Sequence, residues 1–287
     1  MDTIQKQRYE LKYVIPEHTA LQIRDFVRCY LDMDQNGTLD GDLSYPVHSL
    51  YLDSPGMALY RSTINGDKNR IKLRIRFYNE RPETPVFLEI KRRMNNIISK
   101  KRIGIPRRLI QAVLSGEILE HSNTDDDSSP GLGNLNSYEQ DALLEFSERV
   151  NALEAHPVSH VAYRREAWTH ADNNAVRVTM DRHVRCEADL EARLSTTMQK
   201  PTLVFGDWVI LELKFTDRFP NWFRELVEVF NLAQCGAAKY VDGVTLMGQD
   251  QVADLITSHK ELRFPESPAM ELRDHIERRK KAIAATF

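Results

Sequence analysis

Residues 71–105, IKLRIRFYNERPETPVFLEIKRRMNNIISKKRIGI, constrain the fold more than any other stretch of the chain. They form three alternating segments separated by turn-like pieces. In the first, Lys72, Arg74 and Arg76 share one face, and Ile71, Leu73, Ile75 and Phe77 share the other. In the second, Glu89 and Lys91 alternate with Leu88 and Ile90; in the third, Lys100 and Arg102 alternate less cleanly with Lys101, Ile103 and Ile105. A strand sends successive side chains to opposite faces, so each segment has an apolar side and a charged side. Two readings are open. The charged side of an antiparallel sheet faces water, the simpler reading of any single strand, or the charged sides together line a cavity for a polyanion. Recurrence along the chain separates them.

The alternation recurs. RYELKYVI (8–15) sets Arg8, Glu10 and Lys12 against Tyr9, Leu11, Tyr13 and Ile15, and VHSLYLD (47–53) sets Ser49, Tyr51 and Asp53 against Leu50 and Leu52. Residues 160–168 carry Tyr163 and Arg165 on one face. Residues 176–181 set Arg177, Thr179 and Asp181 against Val176, Val178 and Met180. Residues 208–216 set Ile210, Glu212, Lys214 and Thr216 against Val209, Leu211, Leu213 and Phe215. Eight strands are thus predicted. Helical spacing predicts helices over 16–31, 57–64, 107–114, 138–153, 220–232 and 269–284, and the polar segments 32–42 and 121–136 read as loops. A sheet covered on both faces packs as a sandwich or closes into a barrel, and eight strands in a barrel leave room inside for side chains or one slim ligand.

Composition removes several classes of function. The formal net charge of the 287 residues is -3, so nothing global points to nucleic acid, and any basic surface is local. Cys29, Cys186 and Cys235 are far apart, without a CxxC pair, which argues against a disulfide framework or a cysteine zinc site and for a reducing, cytoplasmic setting. The opening residues have no apolar segment of signal-peptide type, and no apolar run reaches the ~18 residues of a membrane span. No GxxxxGK[ST] loop and no serine or cysteine nucleophile motif is present.

With the apolar faces turned outward, the inward set is Glu10, Lys12, Arg74, Arg76, Glu89, Lys91, Lys100, Arg102, Arg165, Arg177, Asp181, Glu212 and Lys214, nine basic and four acidic. So many like charges cannot be enclosed without a partner, so either water or an anion of matching charge density fills the space. A phosphate chain fits, because Arg forks bind phosphate oxygens bidentately and Lys adds compact charge. The carboxylates are suited to a hard divalent ion bridging phosphate oxygens. Glu10 and Asp181 read equally well as structural partners of neighbouring arginines. His48, His160, His170 and His183 form no ligand spacing, and the basic run 278–281 reads as a solvated helix end.

RYELKY, SLYLDS, KLRIRFY, FLEIKRR, SKKRIGI, YRREAW, VRVTMDR, ILELKF and AKY, in this order, resemble the vacuolar transporter chaperone (VTC) domain, the polyphosphate polymerase branch of the triphosphate tunnel metalloenzymes. The resemblance spans about residues 5–245 and leaves 246–287 as a C-terminal helical tail. It implies an α+β fold, a closed eight-stranded antiparallel barrel with helices packed outside. It also implies transfer of the γ-phosphate of ATP to a growing polyphosphate chain with Mn²⁺ or Mg²⁺. By motif, Lys12, Arg74, Arg76, Lys91, Lys100, Arg102, Arg165, Arg177 and Lys239 match the substrate-binding cations, joined here by Lys214. Glu212 matches the metal ligand, with Glu10, Glu89 and Asp181 as further candidates. Lys12, Arg74, Arg76, Lys91 and Glu212 form the expected catalytic group. The superfamily opens with ExExK, whereas Arg8, Glu10 and Lys12 stand here, and losing the first glutamate disfavours triphosphatase activity. The resemblance is to the arrangement of soluble bacterial-type members, which implies a protein expected to do without the amino-terminal sensing domain and membrane spans of the fungal relatives.

The expectation is therefore a cytoplasmic polyphosphate polymerase whose partners are ATP and polyphosphate, with a separate membrane protein as the route of product export. The alternatives are a tripolyphosphatase or nucleoside triphosphatase of the same superfamily, and a non-catalytic polyphosphate-binding module.

Overall fold

The computed structural model describes residues 8–37, 43–95, 97–116, 135–170 and 175–263. Its strands are β1 (Arg8–Ile15), β2 (Asp32–Met33), β3 (Tyr45–Asp53), β4 (Asn69–Phe77), β5 (Val86–Met94), β6 (Ile97–Ile105), β7 (His156–Thr169), β8 (Val176–Ala188), β9 (Thr202–Leu203) and β10 (Val209–Thr216). Eight of them pair antiparallel in the order β7-β3-β4-β5-β6-β1-β10-β8, and β8 pairs back onto β7. The ring is closed, so no long sheet edge is left over. The two-residue strands β2 and β9 lie against the outer flanks of β7 and β8. The fold is α+β, with the helices outside the barrel.

The period-2 pattern explains the placement of the core. The outward residues of β4, β5 and β6 (Leu73, Ile75, Leu88, Ile90, Ile103, Ile105) are buried against Ala142, Leu143, Phe146 and Val150 of the helix Ser137–Ala152. That helix begins at a capping box in which Asn136 accepts from the Glu139 amide and Glu139 from the Asn136 amide. The outward residues of β1, β8 and β10 are covered by the helices Glu17–Val27 and Asn221–Val229 through Ile23, Val27, Phe223 and Leu226. A third cluster closes one end of the barrel. There the helix Lys239–Met247 inserts Tyr240, Val241 and Val244 against Tyr51, Val161, Tyr163 and Ile210. This helix lies so close to β8 that a Cβ on Gly243 would stand 2.5 Å from the Cys186 Sγ. The helix Gln249–Arg263 follows and adds Val252 and Ile256 to the same cluster. Among the described residues no helix is long and apolar enough to cross a membrane.

The structure corrects several expected boundaries. The first helix ends at Val27, and the chain peels away so that Asp32–Met33 can pair with β7, where a loop was expected. The helix expected over 107–114 begins as the 3-10 turn Arg107–Leu109 and continues as Ile110–Ser115, and the one expected to end near 232 stops at Val229. Strands β7 and β8 extend well past 160–168 and 176–181. Their alternation is interrupted where His183 takes a φ of 51° and the β7–β8 register shifts between Ala162 and Arg164, a bulge that hides the second half of β8 from a period-2 reading. The expected 269–284 helix with its 278–281 run, and all but the last two residues of the 121–136 loop, lie outside the described residues.

Candidate active site: a cation-lined tunnel

Strand register decides which charges meet. Across β4, β5 and β6, Lys72 faces Lys91 and Lys91 faces Lys100; one inward position along, Arg74 faces Glu89 and Glu89 faces Arg102. On the opposite wall Glu10, Lys214 and Arg177 align across β1, β10 and β8, as do Lys12, Glu212 and Thr179. Asp181 of β8 faces Arg165 of β7. The cavity has a volume of about 1090 Å³, and among the described residues its lining holds thirteen basic residues against two acidic ones, Glu10 and Glu212; one of the thirteen, Lys101, turns outward to Asp141 and Glu145. All ten cations expected at the site line it, Lys239 arriving from the first turn of the capping helix.

The carboxylates are held by this surplus of cations. Arg74 donates from Nε to Glu89 Oε2 at 2.6 Å and from Nη1 to the Tyr51 hydroxyl at 3.2 Å. Arg165 forks onto both oxygens of Asp181 at 2.7 Å and reaches Glu212 Oε2 at 3.3 Å. Lys239 bridges Asp181 at 2.7 Å and Glu212 at 2.8 Å, and Lys214 donates to Glu212 at 2.6 Å. Lys91 is 2.9 Å from Glu10. Lys12 donates to the Ala237 carbonyl at 2.8 Å, with Glu10 and Glu212 at 3.3 and 3.5 Å. Arg76 donates to the Tyr163 hydroxyl at 3.0 Å, and Arg177 to Asp34 at 2.6 Å. Arg102 lies over the Phe87 ring, 3.6 Å from its centroid.

Burial alone would raise the carboxyl pKa values, but the cations reverse it. Lys91 and Lys12 hold Glu10 below the ordinary range, and Lys214, Lys239, Lys12 and Arg165 do the same for Glu212. The same crowding acts against some of the cations. Burial, aided by neighbouring positive charge, brings Lys72 and Lys214 down to about 7 and Lys100 down to about 8. Lys239 moves up, because Asp181 and Glu212 outweigh its desolvation. A site with part of its positive charge this weakly held is stabilised by an entering anion.

The four expected metal ligands do not converge. Among the described residues no group of three or more His, Cys, Asp and Glu side chains gathers at one point. Glu89 and Asp181 are fully buried behind the arginines that fork onto them. Glu10 and Glu212 differ: both line the cavity, both are held ionised, and the Lys12 ammonium lies between them. Two hard carboxylates on a cation-rich wall suit Mg²⁺ or Mn²⁺, which take one or two protein oxygens and complete their shells from other oxygen ligands and water.

Several lining residues escaped the sequence-derived set. Lys72 shares the charged face of Arg74 and Arg76, a signal that was in plain view. Tyr45, Tyr78 and Tyr163 also face inward. Asp34, which does not line the cavity but pairs with Arg177, comes from a segment read as a loop. Asp53 shares the polar face with Tyr51 but does not line the cavity: its carboxylate accepts the amides of Leu59 and Tyr60 and the hydroxyl of Tyr240, the ring that stacks on Tyr51.

A closed eight-stranded antiparallel ring around a cationic bore defines a tunnel protein. The chain belongs to the VTC domain family, whose profile matches residues 7–248. That is a family of polyphosphate-related tunnel enzymes. No curated protein matches the chain. Among solved structures it is similar to a candidate adenylate cyclase from Bacillus halodurans, with 11% identity over 81% of this chain and 94% of that one and a TM-score of 0.45. It is also similar to a protein from Pyrococcus horikoshii, with 12% identity over 84% and 99% and a TM-score of 0.39.

Proposed function

We propose that the tunnel is the active site of a polyphosphate polymerase that moves the γ-phosphoryl group of ATP onto the end of an inorganic polyphosphate chain. The observation that carries this reading is the large surplus of cations over the two carboxylates among the described lining residues, in a cavity of about 1090 Å³, too small for a folded partner. Arg74, Arg76, Arg165 and Arg177 would grip triphosphate oxygens by their forks, while Lys12, Lys91, Lys100, Arg102, Lys214 and Lys239 supply charge along the chain. A terminal phosphate oxygen of the acceptor attacks the γ-phosphorus, the bond to the bridging oxygen of ADP breaks, and ADP leaves with that electron pair. The wall acts by alignment and by stabilising the charge on the transferring group, and no side chain need be phosphorylated. Glu10 and Glu212 would hold a divalent ion, which when bound neutralises phosphate charge. Glu89 and Asp181 orient Arg74 and Arg165.

Incubation with ATP and Mn²⁺, followed by sizing of the products on a gel, tests this. Long chains and ADP are expected. Phosphate and diphosphate alone would instead make the protein a triphosphatase, a reading that Arg8 at the tunnel mouth disfavours. Tight, salt-sensitive polyphosphate binding with no turnover would make it a binding module.

A further inference from the structure

The lysine row Lys72–Lys91–Lys100 has too few counter-charges of its own. These three residues face one another directly across β4, β5 and β6, and like charges in such cross-strand positions repel. Lys91 has Glu10 at 2.9 Å, and Lys100 has a distant share of Glu89 at 3.7 Å. Lys72 is half-buried in the cavity wall and, among the described residues, has neither a hydrogen bond nor an ion pair. Its surroundings are Lys12 from β1, Lys91 from β5, and Arg70 and Arg74 from its own strand. Asp242 of the capping helix feels its charge, but that carboxylate accepts the Ala238 amide at 2.7 Å. The neighbouring row, Arg74–Glu89–Arg102, carries its own acid at the centre.

We infer that Lys72 is a phosphate-binding residue, which with Lys91 and Lys100 forms a subsite for a phosphoryl group of a linear polyphosphate beyond the groups gripped by the arginine row. The two rows are one inward position apart, about 6.6 Å along the strands. A chain that touches both is therefore longer than one that fills the arginine row alone. Burial and the surrounding cations bring the Lys72 ammonium down to about 7, and a phosphate beside it removes that penalty. This inference rests on the reading of the bore as a polyphosphate site.

Titration calorimetry without metal or nucleotide separates the two. Diphosphate and a long linear polyphosphate are each titrated into the wild type, Lys72→Ala, Lys72→Arg and the outer-surface control Lys68→Ala. Lys72→Ala is expected to weaken the long chain about tenfold or more, the loss of one charge-assisted contact, and to change diphosphate affinity by less than about threefold. Lys72→Arg and Lys68→Ala should bind the long chain within about threefold of the wild type. Ligand-free Lys72→Ala should melt at or above the wild-type temperature, because repulsion is relieved. Wild-type affinity of Lys72→Ala for the long chain, an equal loss for both ligands, or a lowered ligand-free melting temperature would overturn the inference. A wild type that binds no phosphate chain would remove the proposed function itself.

Discussion

Adjacent residues of β7 and β8 build ionic networks on opposite faces of one wall. Outside, Glu166 accepts from Arg24 at 2.8 and 2.7 Å, from the Trp168 indole at 2.8 Å and from Arg182 at 2.9 Å, while Arg182 also reaches Glu17. Two arginines meet two glutamates. Inside, one position away along each strand, Arg165 and Lys239 hold Asp181, and Lys12, Lys214 and Lys239 crowd Glu212, with further cations beyond. Both networks set cations against carboxylates; the inner one is the more deeply buried, and the balance of charge differs. A network that neutralises itself contributes to the fold, whereas one left with excess charge is matched to something that arrives from solution.

Substitutions of equal chemistry on the two faces should therefore act on different properties. Glu212→Ala should lower ATP turnover by about a thousandfold or more, as when a preorganised charge-stabilising group is lost, with a far smaller change in tripolyphosphate affinity. Full turnover by this variant would sink the role given to Glu212. Glu166→Ala should do the reverse. It strands two partly buried arginines, and urea denaturation should show a loss of about 3–5 kcal/mol while tripolyphosphate binding stays intact. A smaller effect follows acidification from pH 7 to 5. Over that interval Glu10, Glu212 and Glu166 stay ionised, because neighbouring cations hold all three below the usual value. His48 and His160, buried and 3.0 Å apart, are brought down to about 4 by desolvation and by positive neighbours. The unfolded chain then binds more protons than the native one below pH 6.5. The imidazole contribution is full above that value and falls as pH drops, by roughly 2 kcal/mol per imidazole at pH 5. A flat urea midpoint between pH 7 and 5 would contradict this assignment.

The staves of the barrel were legible because side-chain direction in a strand is a local property. Arg74 with Arg76, Glu89 with Lys91, and Lys100 with Arg102 announce their face without any partner being known, and all six fall on the tunnel side. What was not legible depends on closure. Whether Lys72 has a carboxylate within reach is set by which strands flank β4 and where β1 and the capping helix lie. The separation of Glu89 and Asp181 from Glu10 and Glu212 likewise follows from register around the ring. Asp53 keeps the face of Tyr51, but the amides of Leu59 and Tyr60 and the hydroxyl of Tyr240 take up its carboxylate, partners that the strand alone does not announce. Lys239 carries no periodic signal at all, being the first residue of a helix, and only the family resemblance pointed to it.

The contact between Lys12 and the Ala237 carbonyl joins residues 225 positions apart, and β1 closes the ring only by pairing with β10. At ribosomal speeds of about 5–20 residues per second, β1 is made roughly 10 to 45 seconds before its partner exists. Through that interval the nascent chain has amphipathic strands but no bore, and the loop closure that creates one comes late. A complete ring of charge thus waits for residues as far along as 239, and a product released before Lys239 would have neither the closing helix nor that ring.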